Sequence, residues 1–189
     1  MGSIVTGSQT VGPFFGIGLG NLEKNDLTVP GSTGEMVKVQ GRLLDGDGVG
    51  IPDAVIEIWQ ADQFGRYVGA EDLKKEIEES GFRGFGRVAT DERGAFGFTT
   101  IKPGRVVGPG GALQAPHIVV TVFMRGLLRH LITRMYFADE PSNEEDAVLG
   151  CVAAERRLTL IAASGSEDSC RLEWNIYMQG EKETVFFDL

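Results

Sequence analysis

The chain has little of what usually carries chemistry. Its 189 residues include two histidines, His117 and His130, three tyrosines and two cysteines. Such a set is too sparse and too scattered for a self-sufficient metal site, and no Gly-x-Ser-x-Gly elbow surrounds any serine. Cys151 and Cys170 are too few for a disulfide framework and read as reduced thiols of a cytoplasmic protein. No apolar run nears the roughly 20 residues of a membrane span. The N-terminus lacks the basic start and hydrophobic stretch of a signal peptide. Met1-Gly2-Ser3-Ile4-Val5-Thr6 fits the myristoylation pattern, which is loose enough for chance to satisfy. Positive charge is also in deficit, with 18 Lys and Arg against 27 Asp and Glu, a net −9. That excludes a nucleic-acid or anionic-membrane partner, since both need a basic face. Any anionic small substrate must then be met by a locally placed arginine.

Glycine is abundant, at 27 residues spread along the chain, as expected for many turns between short strands. Met36–Arg42 alternates apolar and polar side chains, which predicts a strand. Asp45-Gly-Asp-Gly48 is a turn. It has an EF-hand flavour but lacks the later acidic ligands, so calcium is rejected. Further strands are predicted over Ala54–Trp59, Gly86–Thr90, Ala95–Thr99, His117–Arg125, Leu131–Phe137, Arg157–Ala162, Arg171–Met178 and Thr184–Phe187. Two helical pieces interrupt them. One is Glu71–Glu79, with Lys74/Glu78 and Lys75/Glu79 as i,i+4 pairs. The other opens at Ser142-Asn-Glu-Glu145, a capping box leading toward Cys151. The pattern predicts one all-β domain over 1–189, an antiparallel β-sandwich with short helices in its loops. Residues 1–35 are Gly-rich and irregular. With the apolar Thr10-Val-Gly-Pro-Phe-Phe15 inside, they read as an N-terminal arm laid across something.

The segment Gln114-Ala-Pro-His117-Ile-Val-Val-Thr-Val-Phe-Met-Arg125-Gly126 is the most informative. On a strand, positions i and i+2 share a face about 6–7 Å apart, so His-x-His makes a metal clamp. Here the second place is Val119. His117 is therefore either a hydrogen-bonded structural residue or a lone ligand. Arg125 shares its strand parity but lies about 26 Å away along a straight strand. The two cannot grip one small ligand. Arg125 marks either a solvated strand end or a carboxylate-binding site at a subunit boundary, for which its two-pronged donor suits. Tyr136 lies in an apolar run and reads as core; Tyr67 reads as a loop residue.

Several segments together resemble the intradiol ring-cleavage dioxygenases. They are Ser8-Gln-Thr-Val-Gly-Pro-Phe14, Glu57-Ile-Trp-Gln-Ala-Asp62, Gly65-Arg-Tyr67, Phe85-Gly-Arg87, Thr100-Ile-Lys-Pro-Gly104, Ala115-Pro-His-Ile118, Phe123-Met-Arg-Gly126, Thr133-Arg-Met-Tyr-Phe137 and Gly180-Glu-Lys-Glu-Thr-Val-Phe-Phe-Asp188. The resemblance implies an immunoglobulin- or transthyretin-like core. In that family the catalytic subunit holds non-haem Fe(III) with two tyrosines and two histidines. This chain departs at three such places. Arg105-Val-Val107 stands where a ligand tyrosine follows Ile-Lys-Pro-Gly, Val119 stands for the second histidine, and Gln114 stands for an arginine.

The resemblance thus implies a non-catalytic α-type chain with a vestigial site at His117 and no metal of its own. Its implied partner is a homologous β subunit that binds the Fe(III), in a higher αβ oligomer. The implied substrates are protocatechuate (3,4-dihydroxybenzoate) and O2. By motif, Thr10, Gly12, Pro13 and Phe14 of the arm and Arg125 would complete the partner's substrate pocket. Phe14 stands where a tyrosine is common, so a hydroxyl contact is lost there. Two other readings stay open on the residues alone: a non-catalytic binding or structural sandwich, and a stand-alone enzyme with its own metal.

Overall fold

The computed structural model describes residues 6–67, 81–165 and 170–188. The predicted helix Glu71–Glu79 lies outside these residues. Eleven strands are present among them: β1 Met36–Leu44, β2 Val55–Trp59, β3 Phe85–Ala89, β4 Ala95–Ile101, β5 Val106–Val107, β6 Leu113–Gln114, β7 His117–Phe123, β8 Leu131–Phe137, β9 Ile161–Ser164, β10 Arg171–Glu173 and β11 Ile176–Tyr177. Nine of them join one hydrogen-bonded path, β3-β2-β7-β8-β9-β10-β1-β4, with β11 also paired to β1. The short β5–β6 hairpin stands apart.

The protein is mostly β, as the alternation predicts. The pairing is not purely antiparallel, because β1–β10, β1–β11 and β8–β9 run parallel. Among the described residues, nine strands form one continuous sheet. Alternate residues explain why the path curls. Val37, Val39, Ile56, Ile58, Phe96, Phe98, Ile118, Val120 and Val122 all point into one central core and are almost wholly buried. Each such side chain contributes about 1.5–3 kcal/mol when removed from water.

The free edges of β3 and β4 are bridged by residues 24–28. Lys24 exchanges backbone hydrogen bonds with Arg87, at 2.8 and 3.0 Å, while the Leu27 amide donates to Thr99 O (2.9 Å) and Thr99 N donates to Asn25 O (2.7 Å). Leu27 is fully buried in the central core. The expectation of an irregular arm through residue 35 is corrected here, since these residues close the sheet. Upstream, Pro13–Leu19 forms a short helix, α1, with Pro13 in its first turn and an extended Gly12 (φ −91°, ψ 176°) before it. Proline suits that position because the first-turn N–H has no helical partner.

Other boundaries shift for local reasons. β7 stops at Phe123, so Arg125 sits in a turn. Ala154–Leu160 is a 3-10 helix, leaving only Ile161–Ser164 as strand. Thr184–Phe187 makes one isolated bridge, Phe187 to Ile132. Ser142 is not a cap. Glu140 caps the 3-10 turn Pro141–Glu145, and Asp146 caps the following helix, α2, over Ala147–Gly150.

Candidate functional site

One face of β3-β2-β7-β8 looks into the core; the other carries the residues singled out by sequence. The register lines them up in rows across the strands. Trp59 pairs with Val119 and Phe85, Val119 with Arg134, Glu57 with Thr121 and Arg87, and His117 with Tyr136. Arg87 Nε donates to Glu57 Oε1 at 2.9 Å in the middle of this face. The His117 end and the Arg125 end are thus opposite ends of one strand, seven residues and about 20 Å long.

At the first end, His117 is buried, and its Nδ1 lies 2.8 Å from Ala115 O. A carbonyl only accepts, so Nδ1 holds the proton and Nε2 the lone pair. Burial, helped by the Arg134 charge, pushes the imidazole down to about 4. It is neutral at ordinary pH. Tyr136, with its ring 5.8 Å from His117, donates to Asp146 Oδ1 at 3.3 Å. Burial first, and the Asp146 charge second, push the phenol up to about 12. Asp146 also accepts from Ala115 N (2.7 Å) and Leu149 N (2.8 Å), which ties the start of β7 to α2. Sequence reading missed this aspartate; the available signal was an acidic residue directly before the apolar Ala-Val-Leu run.

Two guanidinium groups occupy this end. Arg134 donates to Gln114 Oε1 at 2.8 Å and contacts the Tyr136 hydroxyl, and its Nε is buried with no hydrogen-bond partner among the described residues. Arg105, at the place of an expected ligand tyrosine, pairs with Glu145 at 3.2 Å. Tyr67 is set against Trp59, with ring centroids 5.1 Å apart, by a tight turn in which Asp62 accepts from Phe64 N and Arg66 N. Burial raises its phenol above the ordinary value despite the opposing Arg134 charge. A single imidazole flanked by two guanidinium groups, each already paired to a neighbouring oxygen, is a poor donor set for a ferric ion, which favours several anionic oxygen ligands.

The second end brings together the arm and Arg125. Met124–Leu127 is a turn with Gly126 at φ +93°, closed by Leu127 N to Met124 O at 3.4 Å. Arg125 is exposed on this turn. The Gly126 amide donates to Thr10 Oγ1 at 2.8 Å, across 116 residues of sequence. Phe15 packs on Phe123 at 5.3 Å, and Phe123 on His130 at 5.4 Å. A cleft of about 450 Å³ opens between arm residues Gln9, Val11 and Phe15 and the body at Leu127, His130 and Phe187. Phe14 turns outward, 82% exposed. Of the sequence-predicted site residues, Thr10, Gly12, Pro13, Phe14 and Arg125 therefore gather at one end, and His117 lies at the other.

Comparison with known proteins gives the chain's family. A family model described as Dioxygenase matches residues 11–180. A protocatechuate 3,4-dioxygenase alpha chain from Burkholderia cepacia is 42% identical, with 97% of each chain covered. The corresponding beta chain from the same organism is 31% identical over 95% of this chain and 78% of its own length. Among solved structures, an intradiol ring-cleavage dioxygenase from Tetranychus urticae superposes with a TM-score of 0.63 at 22% identity, covering 82% of this chain and 85% of that one. That likeness carries the fold, and the sequence matches carry the kinship: this chain belongs to the dioxygenase family, in its intradiol branch.

Proposed function

We propose that this chain is the α subunit of a protocatechuate 3,4-dioxygenase. It completes the substrate pocket of a homologous β subunit, in an αβ hetero-oligomer that inserts both atoms of O2 between the hydroxyl-bearing carbons of 3,4-dihydroxybenzoate, giving 3-carboxy-cis,cis-muconate. Ferric iron, which activates the bound catechol toward O2, belongs to the β subunit. The donors around His117 suit a structural role instead.

The single observation that carries the reading is the Thr10–Gly126 hydrogen bond, which sets the arm beside Arg125. An exposed arginine and an outward phenylalanine on a small glycine-and-proline platform present one cation and one aromatic ring to a neighbouring surface. That combination suits an aromatic carboxylate. Arg125 meets the carboxylate with paired N–H donors. Gly12 and Pro13 allow close backbone approach, and Phe14 packs on the ring without a hydroxyl contact. In this role the chain binds and orients; it moves no proton itself.

The test is co-expression with the β chain, then oxygen uptake with protocatechuate and with unsubstituted catechol. A charge-assisted contact is worth about 1.5–3 kcal/mol. Arg125→Ala in the complex is expected to raise KM for protocatechuate tenfold or more while leaving KM for catechol, which lacks the carboxylate, nearly unchanged. An unaltered KM for protocatechuate removes Arg125 from the pocket. A stable α chain that neither co-purifies with the β chain nor supports activity on mixing overturns the whole assignment.

A further inference from the structure

We infer that Thr10 is a positioning residue, a clamp that joins the arm to the Arg125 turn so that both reach the substrate as one unit; this rests on the function proposed above. The argument begins with the turn. Gly126 adopts φ +93°, a conformation glycine takes without strain. Its amide takes no part in the turn's own hydrogen bond, which runs from Leu127 N to Met124 O. Thr10 Oγ1 accepts that amide at 2.8 Å. One acceptor site of the hydroxyl is thereby used on the backbone of this chain.

The next part of the argument is how little else holds the arm. Residues 6–10 are exposed, and Val11 is half-buried. Beyond Thr10, the described attachment is the stack of Phe15 on Phe123, which continues to His130. Between the two holding points the arm spans a cleft of about 450 Å³ rather than lying flat on the body. Gly12, Pro13 and Phe14 sit in that span. Their place relative to Arg125 is therefore set by two points, of which Thr10 is the one next to Arg125 in the turn. Losing the clamp frees the N-terminal side of the span and relaxes the Arg125 backbone together.

The role separates from a direct substrate contact by experiment. In the full chain and in the αβ complex, hydrogen exchange is followed at the Gly126 amide for wild type, Thr10→Val and Thr10→Ser. Thr10→Val keeps the shape and removes the acceptor; Thr10→Ser restores it. The expected result is faster Gly126 exchange in Thr10→Val, by roughly three- to tenfold, with β7 and β8 amides unchanged and protection recovered in Thr10→Ser. In the complex, Thr10→Val is expected to raise KM for protocatechuate three- to tenfold with kcat within twofold, again recovered by Thr10→Ser. Unchanged Gly126 exchange in Thr10→Val overturns the clamp, whatever the activity. Faster exchange with unchanged KM overturns its part in presenting the substrate contacts. A wild-type complex inactive on protocatechuate defeats the functional reading instead and leaves the exchange result to decide the clamp alone.

Discussion

The Asp146 carboxylate accepts from two backbone amides and one phenol in a place almost closed to water. Replacing it by alanine leaves the Ala115 and Leu149 amides buried without partners, at about 1–3 kcal/mol each. Asp146→Ala should therefore cost roughly 3 kcal/mol or more in chemical denaturation, and a loss below 1 kcal/mol would show that water replaces the carboxylate. His117 gives a pH signature. Its folded pKa lies near 4 against 6.5 in the unfolded chain. Between those values the unfolded state binds the extra proton, so stability is full above pH 6.5 and falls as pH drops toward 4. The loss approaches about 3 kcal/mol at the acid end. In His117→Gln the acid slope in that window should flatten, which urea titrations at pH 7.5 and 5 can read. These two residues also show what a sequence discloses. His117 and the missing second histidine at Val119 were legible because strand parity is a local rule. Arg134 was not, since an arginine in Ile-Thr-Arg-Met-Tyr looks like an ordinary outward residue until the register places it beside Val119 and next to the His117–Tyr136 pair.

At the scale of elements, the strap of residues 24–28 decides whether the sheet is open or closed. It passes close over Gly86, where an added Cβ would meet Leu27 Cδ1 at 2.6 Å and Lys24 O at 2.9 Å. Gly86→Ala should lift the strap from β3 and cost about 1–3 kcal/mol, with Leu27→Ala costing 2–5 kcal/mol through the cavity it leaves. Thermal unfolding of both checks this; a neutral Gly86→Ala would mean that the strap is free to shift. The strand cores were readable from alternation, and β8 keeps both its predicted ends. The strap was not readable, because Lys-Asn-Asp-Leu-Thr has one apolar residue and no period. The parallel neighbours of β1 and β8 also escaped, since periodicity reports which face a residue takes and not which strand lies beside it. Of the predicted strand Arg157–Ala162 only Ile161 and Ala162 are strand; Arg157–Leu160 coils into a 3-10 helix, with Arg157 donating to the carbonyls of Val152 and Gly150.

Across the whole molecule, the span before α1 and the closed sheet have different jobs, and truncation separates them. Removing residues 1–12 takes away two described hydrogen bonds, Gly126 N to Thr10 Oγ1 and Phe15 N to Gly12 O, and little buried surface, so the melting temperature should fall by no more than about 4 °C, while the αβ complex is expected to lose affinity for protocatechuate. Removing residues 1–28 strips Leu27 and both edge bridges, and the chain should fail to fold. Equal stability of the two truncations, read by calorimetry, would contradict this division. The same end-to-end separation has a consequence for how changes at the two ends combine. The His117 end, held by Arg134 on Gln114 and Arg105 on Glu145, and the Arg125 turn lie at opposite ends of a strand about 20 Å long, so substitutions at the two should act independently. Stability changes from paired substitutions, one at each end, should therefore sum to within about 0.5 kcal/mol.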